Sequence, residues 1–259
     1  MSIKQSVRNV LEPTIWFVCL LVIWQMIVKI FDVPIYVLPA PSDFIERIFL
    51  DYEKLLSHGW ISTKLIIWGF FSGAIPGIGM GYLIANFRWC DKLLYPLVIF
   101  IQGLPKITLA PLMLVWFGFS DFPKILLTAL ITFFPVLVDS VIGFKSVDKR
   151  IYYLSRSTGA NWWQTFKFIQ LPSAAPYIIS GFKITIVVSV TVVIVVELLN
   201  SQNGLGYLVL RGMTGNDTPL IFATLVVGSF IGVFLSYCVD LIDRLPVSYT
   251  HLRAHETTN

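Results

Sequence analysis

Residues 178–199 read IISGFKITIVVSVTVVIVVELL, an apolar run that only two charged side chains interrupt, Lys183 and Glu197. A helix that crosses the hydrocarbon core of a bilayer needs about 20 predominantly apolar residues. Lipid offers no hydrogen-bond partner for backbone N–H and C=O groups, so a spanning segment of this kind is expected to be helical. The run therefore predicts a membrane-spanning helix.

The composition of the whole chain points the same way. Of its 259 residues, 56% are hydrophobic and 13% are charged, and the mean hydropathy is +0.77. A soluble domain is about 45–50% apolar and about 25% charged. The net charge of +4, from 19 basic and 15 acidic residues, is too small for a phosphate-binding face. These values exclude a soluble enzyme, a disordered chain and a nucleic-acid binder, and they predict an all-α, polytopic membrane helix bundle.

Six apolar stretches are long enough to cross the membrane. They are residues 14–31, 64–86, 93–116, 124–144, 178–199 and 219–240. Three prolines in the third stretch, the middle one Pro105, favour a broken helix, because proline removes a backbone donor. Between the spans, 32–63 is a polar segment with a short helix capped by Ser42, and 200–218 is predicted to be a loop.

Two of the predicted spans carry small residues at every fourth position, which places these residues on one ridge of a helix. The second span has Gly69, Gly73, Gly77 and Gly81. The sixth span has Thr224, Gly228, Gly232 and Ser236. Small residues let two helix backbones approach closely. We expect the ridges to serve helix packing, inside the bundle or at a dimer seam, with the interior as the favoured place.

The distribution of Lys and Arg over the short loops predicts the orientation, because these residues favour the cytoplasmic side. With the N-terminus inside, ten basic residues lie on the inner segments and five on the outer ones. Both termini and the long segment 145–177 are therefore predicted to be cytoplasmic. The expected domains are an N-terminal helix with an external polar segment over 1–60 and a core over 61–245.

The end of the chain has a different character. Residues 246–259 are abruptly polar and contain His251 and His255, two of the three histidines. Their sequence resembles a translated sequencing adapter, so we interpret the segment as a non-native tail. For that reason the spacing of its histidines is not taken as a metal site. The three cysteines lie far apart and predict neither a disulfide framework nor a metal site.

The segment 145–177 is polar, amphipathic and long for a connection between two spans, and long loops are commonly functional. A first helix is predicted over 148–158, ending at Gly159, which tolerates a positive φ. A second helix is predicted over 161–169, with Asn161 as its N-cap. The segment is therefore expected to be a pair of helices about a glycine turn.

The second of these helices has Trp162, Phe166 and Ile169 on one side, and it is predicted to stop at Leu171 and Pro172. The residues alone leave two interpretations open. One is an amphipathic helix that lies in the membrane interface. The other is a docking element for a cytoplasmic partner.

A motif in this segment favours docking. Gly159 is followed after nine residues by Ile169, Leu171 and Pro172, which resembles the signature loop of ABC importer permeases. Further stretches resemble the nitrate, sulfonate and taurine branch of that family, and the likeness extends over about 35–245. They are Val37–Ser42, Leu104–Lys106, Ala110–Leu112, Trp116–Phe119, Phe133–Leu137 and Gly204–Leu208.

The resemblance implies a loop that docks into a groove of a separate cytoplasmic ATPase. The residues it assigns to this coupling loop are Tyr153, Ser155, Arg156, Gly159, Ala160, Trp162, Ile169, Leu171 and Pro172. The family pattern begins with Glu-Ala-Ala, whereas this chain has Tyr153, Leu154 and Ser155, so a salt bridge from the first position is in doubt.

The same resemblance implies the partners and the place of the chain. A P-loop of the form G-x-x-x-x-G-K-[ST] does not occur in the sequence, so ATP and Mg²⁺ are expected on the partner ATPase, with no cofactor here. The chain is expected to be a transport subunit rather than an enzyme. It is expected to work as a homodimer with an external or periplasmic solute-binding protein, within the lipid of a prokaryotic cytoplasmic membrane.

Two charged residues are candidates for the translocation pathway. Lys106 falls near the middle of the third span, where a charge costs about 2.5–3.5 kcal/mol on insertion scales. A cation that lines the pathway is one interpretation. The others are a side chain that snorkels to the interface and a break at Pro105 that brings the lysine into a polar pocket for structural reasons. Glu197 is expected at the outer interface, with a gate or pairing role as the alternative. Asp139 is expected to pair with Lys145 or to cap an element.

The resulting hypothesis is the permease of an ATP-driven importer of a small anionic or zwitterionic solute, working by alternating access. Importers of thiamine-pyrimidine or flavin precursors are the alternative. A gradient-driven transporter is less favoured, since neither an inverted repeat nor several mid-membrane carboxylates are evident. A membrane enzyme would need clustered polar residues, and His58 is the only histidine before the tail.

Overall fold

The computed structural model of the chain describes residues 3–200 and 202–244, and that part consists of helices joined by short turns. The α-helices, in chain order, are α1 (Ile3–Ile30), α2 (Pro41–Leu50), α3 (Tyr52–Asn86), α4 (Arg88–Gln102), α5 (Ala110–Phe117), α6 (Asp121–Lys145), α7 (Lys149–Ser157), α8 (Trp162–Thr165), α9 (Leu171–Asn200), α10 (Leu205–Thr214) and α11 (Thr218–Arg244). A 3-10 turn at Lys106–Leu109 precedes α5, and a π-helical turn at Phe166–Gln170 joins α8 to α9. The predicted tail, 246–259, lies outside the described residues.

Five helices in the described part are long and apolar enough to cross a membrane. They cover Leu11–Ile30, Tyr52–Asn86, Asp121–Lys145, Trp162–Leu199 and Thr218–Asp243. A sixth crossing is possible where α4 and the segment Lys106–Phe117 meet at a bend of 80°. The bend confirms that the helix is broken in this stretch, as the prolines predict. The second span is longer than predicted, since α3 begins at Tyr52 rather than near residue 64.

Four spanning helices enclose the main core. Its buried side chains include Ile66 and Phe70 of α3, Val136 of α6, Val193 of α9 and Leu235 of α11. Helix α1 stays at the edge of this bundle, and only 6% of its apolar window is buried. Since lipid is as apolar as the core, these helices associate through close packing rather than through the exclusion of water.

The glycine ridge of α3 lies against α6 along its whole length. A Cβ at Gly69 would come within 2.5 Å of the Thr128 side chain, and one at Gly81 within 2.5 Å of the Ser140 side chain. A Cβ at Gly73 would overlap the carbonyl of Ala129. Gly77 faces the same helix, whereas Gly228 and Gly232 of α11 face side chains of α9. The ridges therefore pack inside the bundle.

Helix α3 connects two ends of the bundle. At one end, where the chain turns between α7 and α8 in a helical hairpin, its last residues bond to Trp162 of α8 and to Gln170 of the π-turn. At the opposite end, its first residues contact α10 and α11, where Leu55 packs with Leu208 and Ala223. The predicted loop over 200–218 is partly wrong, because ten of its residues form α10.

The start of α2 also differs from the prediction. Ser42 is not the N-cap, because the helix begins at Pro41 and Ala40 takes the N-cap position. The Asp43 carboxylate accepts a hydrogen bond from the Ala40 N–H at 2.9 Å. Ser42 instead bonds to Gln25 of α1, its N–H donating to the amide oxygen at 3.0 Å. The Ser42 hydroxyl accepts a hydrogen bond from the Gln25 side-chain amide at 3.0 Å, so a tertiary contact has taken the side chain that the local pattern assigned to a cap.

The pairing predicted between Asp139 and Lys145 is wrong. The Lys145 ammonium lies 2.7 Å from the Asp91 carboxylate, which joins the last turn of α6 to the first turn of α4. The Asp139 carboxylate instead lies against Gly181 of α9, where a side chain would collide with it. Sequence proximity suggested Asp139, six residues earlier, as the partner of Lys145, but in the folded chain the partner is Asp91 on another helix.

Candidate functional site

The turn of the 145–177 hairpin is built around Gly159. Its φ is +77°, a region that a side chain strains. The Thr158 N–H donates to the Leu154 carbonyl at 3.0 Å, and the Ala160 N–H donates to the Ser155 carbonyl at 3.1 Å. These bonds close the end of α7 and confirm the predicted glycine break.

The second helix starts as predicted but does not stop as predicted. Asn161 accepts a hydrogen bond from the Gln164 N–H at 2.8 Å, and the Gln164 side chain accepts one from the Asn161 N–H at 2.8 Å. The stop at Leu171 and Pro172 is wrong, because one candidate span runs over Trp162–Leu199. Proline is tolerated in the first turn of α9, where its missing N–H loses little. The hairpin is therefore continuous with a spanning helix.

Much of the hairpin's surface is apolar and exposed. Tyr153 is 72% exposed, although it occupies the position where the family pattern has an acid. Other large exposed side chains are those of Leu154, Trp162, Trp163 and Phe168. Ile169 is half-buried, Leu171 is exposed, and the Arg156 side chain lies outside the described atoms. Exposed apolar patches of this size mark interaction or membrane surfaces.

Ser155 has a structural place in the hairpin. Its side chain is buried, and its hydroxyl lies 2.8 Å from the Thr165 hydroxyl, which joins α7 to α8. A cleft of about 400 Å³ opens between the two helices beside this contact. Its lining residues are Ser155, Thr158, Gly159, Ala160, Gln164, Phe168 and Ile169. The assigned coupling residues are thus of two kinds. Some, such as Ser155, hold α7 and α8 together, and others form the exposed surface of the hairpin.

The hairpin is fastened to the bundle by an aromatic cluster at the end of α3. The Trp162 indole N–H donates to the Tyr82 hydroxyl at 2.9 Å. The Tyr82 ring packs edge-on against Phe144 of α6, at 5.2 Å, and against Phe166, at 5.1 Å, between ring centroids. Trp162 and Phe166 stack with their planes 10° apart. The exposed surface therefore stands on a fixed base.

A second connection lies at the π-turn. The buried amide of Gln170 donates to the Asn86 side-chain oxygen at 2.8 Å and to the Tyr152 hydroxyl at 2.7 Å. It therefore links the last residue of α3, the π-turn and α7. The sequence did not predict Tyr82 or Asn86, which lie inside an apolar span some 80 residues before their partners. No local periodicity or motif could have indicated this contact.

Lys106 lies where the predicted third span is broken. It opens the 3-10 turn that follows the bend, and its ammonium donates to the Gln102 carbonyl at 2.7 Å. The ammonium also lies 5.0 Å from the centre of the Phe134 ring. The cation thus has a backbone carbonyl of α4 and a ring face of α6 as its neighbours, and part of its side chain remains accessible.

Glu197 lies inside the bundle rather than on its surface. Its side chain is fully buried. The Ser62 hydroxyl lies 2.8 Å and 2.9 Å from its two oxygens, and the Gly206 N–H donates to it at 2.9 Å. A Cβ at Gly204, where φ is +101°, would overlap the carboxylate. Glu197 thus holds the start of α10 against α3 and shares no bond with Lys106 in the described residues.

Comparison with known proteins identifies the family. Residues 77–246 match the model of the binding-protein-dependent transport system inner membrane component. The formylaminopyrimidine transport permease ThiX of Halalkalibacterium halodurans is 33% identical, over 86% of this chain and 89% of that protein. The riboflavin transport permease RibX of Chloroflexus aurantiacus is 31% identical, over 89% and 87%. The putative aliphatic sulfonates transport permease SsuC of Bacillus subtilis is 29% identical, over 87% and 82%.

Solved structures agree on the fold. An inward-facing structure of the MetNI methionine ABC transporter superposes with a TM-score of 0.61 at 17% identity, over 77% of this chain and 97% of that chain. An amino acid ABC transporter gives 0.60 at 14% identity, over 78% and 97%. The matched residues 77–246 include the whole hairpin and the helices it joins. The chain therefore belongs to the binding-protein-dependent inner membrane components, the permeases of ABC importers.

Proposed function

We propose that this chain is the permease of an ATP-driven importer for a small anionic or zwitterionic solute of the sulfonate, nitrate or taurine class. The observation that carries the proposal is the hairpin, whose exposed aromatic surface stands on a fixed base and continues directly into α9. An interfacial helix would have no need of this rigid attachment. A surface that receives force from a partner requires it.

The partner is a separate cytoplasmic ATPase that binds ATP and Mg²⁺. The hairpin segment 145–177 contains five basic residues and one acidic residue, which suits the cytoplasmic side and an acidic rim around the partner's groove. Closure of the ATPases would then tilt the hairpin and shift the bundle between two access states. Docking can bias these states only if they differ by a few kcal/mol.

The assembly contains further subunits. We propose two copies of this chain in one importer, because six spans rarely enclose a path alone, and an external solute-binding protein that delivers the solute. Both termini are cytoplasmic in this arrangement, and the membrane is a prokaryotic inner membrane. The description of the matched family as an inner membrane component supports this location.

Lys106 is the residue that we assign to the pathway. A cation beside a broken helix can contact a solute, since irregular backbone within a membrane is tolerated where it lines protein or a cavity. Its carbonyl and ring neighbours leave the ammonium a net positive charge for an anion. Glu197 is fully buried among its own hydrogen bonds, so we assign it to the attachment of α10 rather than to the pathway.

A second solute class has specific support. The relatives at 33% and 31% identity are named for formylaminopyrimidine and riboflavin, and the sulfonate permease follows at 29%. A pyrimidine or flavin precursor is therefore the alternative cargo. The two classes differ in charge, and this difference makes them separable by experiment.

Uptake into proteoliposomes tests the proposal. The chain, its ATPase and its binding protein are reconstituted with ATP in the lumen, and labelled taurine, nitrate, formylaminopyrimidine and riboflavin are offered outside. We expect one solute to accumulate only with ATP, and ionophores that dissipate ion gradients to leave the uptake unchanged. Accumulation that needs a gradient and ignores ATP would make this chain a secondary transporter instead.

A further inference from the structure

We propose that α3 is a second transmission arm of the importer, clamped to the hairpin at one end and to α10 at the other. The inference rests on the proposed function and makes Tyr82 and Asn86 positioning residues for coupling, although neither lies in the hairpin. Helix α9 is the evident arm, because the hairpin continues into it. The contacts of α3 with the hairpin, here called the clamp, explain how α3 follows the movement of the hairpin as α9 does.

The clamp at the hairpin end consists of two independent contacts. Trp162 bonds to Tyr82 on one turn of α3, and Gln170 bonds to Asn86 one turn further on. Gln170 and Asn86 lie on elements that are 84 residues apart in sequence, and the Gln170 side chain is almost fully buried. Two contacts fix both the position and the rotation of the hairpin relative to α3.

The clamp at the opposite end uses the same helix. The Ser62 hydroxyl bonds to the Glu197 carboxylate and accepts the Leu205 N–H at 2.8 Å. His58, one turn earlier, accepts the Gly204 N–H on its Nδ1 at 2.9 Å. The backbone that begins α10 is thereby held by α3 through these contacts and by α9 through Glu197.

Between the two clamps, α3 is one continuous helix that packs against α6. It has 35 residues with Pro76 in its interior, and Ser62 and Tyr82 are about 30 Å apart at 1.5 Å per residue. At its glycine ridge, α3 is in direct contact with the backbone of α6. Because the two helices are closely packed there, α3 cannot slide along α6 unless the two helices first move apart. Helices α3 and α9 are thus joined at both ends of a closed frame.

Spin labelling of the assembled complex tests the clamp. The native cysteines Cys19, Cys90 and Cys238 are replaced by alanine, and Met213→Cys carries a nitroxide on the exposed face of α10. The change in label mobility on adding ATP and vanadate is compared with the rate of ATP hydrolysis. Variants are Tyr82→Phe, Asn86→Ala, Ser62→Ala and the pair Tyr82→Phe with Ser62→Ala. Tyr237→Phe, whose exposed side chain lies on α11, is the matched control.

We expect Tyr82→Phe to reduce the ATP-induced equilibrium shift at Met213, relative to the rate of ATP hydrolysis, about two- to tenfold, as the loss of one neutral hydrogen bond would. Residues this far apart normally act additively. The pair with Ser62→Ala is expected to lose little more than either single variant, because both break one arm.

Two results would overturn the clamp. A response in Tyr82→Phe and Asn86→Ala equal to that of the wild type would mean that α9 alone carries the movement. Full additivity of two losses in the pair would mean that the two contacts act independently and not through one arm. If the wild-type chain does not assemble with the ATPase, or its label does not respond to ATP, the proposed function fails as well. Tyr82→Phe is a mild change, so a folding defect does not obscure these outcomes.

Discussion

At the scale of single residues, Glu197 is a buried carboxylate that joins α9 to α3 and to the start of α10. It closes an apolar run, which favoured an interface, but the structure buries it completely. Its partners are Ser62, 135 residues earlier, and the backbone of Gly206 after the next turn. A buried carboxylate persists only when its lone pairs are satisfied. Those partners belong to the tertiary fold, so the sequence alone could not reveal them.

Replacement of Glu197 tests this structural role. In Glu197→Ala the Ser62 hydroxyl and the Gly206 N–H lose their acceptor, and we expect a loss of about 3 kcal/mol. Glu197→Gln keeps an oxygen acceptor and is expected to lose less than about 1 kcal/mol. The midpoint of thermal unfolding in detergent measures both variants. Equal stability of the alanine and glutamine variants would contradict the account.

Lys106 tests the charge of the solute. Lys106→Met removes the cation at the broken span, and we expect uptake of an anionic solute to fall about tenfold or more, as when a charge-assisted hydrogen bond is lost. Binding of the ATPase should not change. Lys92→Met, an exposed lysine of α4, is the matched control. Unchanged uptake in Lys106→Met would favour the uncharged pyrimidine or flavin class.

At the scale of elements, the sequence predicts what is local and misses what is tertiary. The turn at Gly159 and the cap at Asn161 were predictable, because each is completed within a few residues. The stop at Pro172 was wrong, because a π-turn carries the chain into α9. The cap at Ser42 was wrong because α2 begins one residue earlier and the Ser42 hydroxyl bonds to Gln25 of α1.

The glycine ridge gives a prediction at this scale. Gly73→Ala would place a methyl group against the Ala129 carbonyl, so we expect a loss of about 1–3 kcal/mol from overpacking. Gly79→Ala lies on the same helix with open space around it, and alanine should add up to about 1 kcal/mol of helix stability. Thermal unfolding midpoints that shift in the same direction would contradict this packing.

At the scale of the whole molecule, five of the six predicted spans and the break in the third one followed from the sequence, since length and prolines decide both. The assembly of the bundle did not. The contacts of Tyr82 and Asn86 with the hairpin join segments that share no sequence signal. The composition therefore predicts a membrane helix bundle, and only the folded structure shows how the two ends of the bundle are connected.

The orientation is testable in intact cells. In chains whose native cysteines are replaced, Met213→Cys should react with a membrane-impermeant maleimide, because α10 lies at the end opposite the hairpin. Ser157→Cys, on the exposed surface of α7, should react only after the membrane is permeabilised. The reverse pattern would place the hairpin outside the cell and remove it from reach of any cytoplasmic ATPase.

The central claim is that the hairpin docks on a separate ATPase, and co-purification from detergent tests it most directly. Gly159→Trp strains the turn by about 1–2 kcal/mol and places a bulky ring at its tip, whereas Gly79→Trp puts the same side chain into open space on α3. We predict that the wild-type chain and Gly79→Trp retain the ATPase and that Gly159→Trp loses it. Failure of the folded wild-type chain to retain the ATPase, or equal retention by Gly159→Trp, would contradict the account.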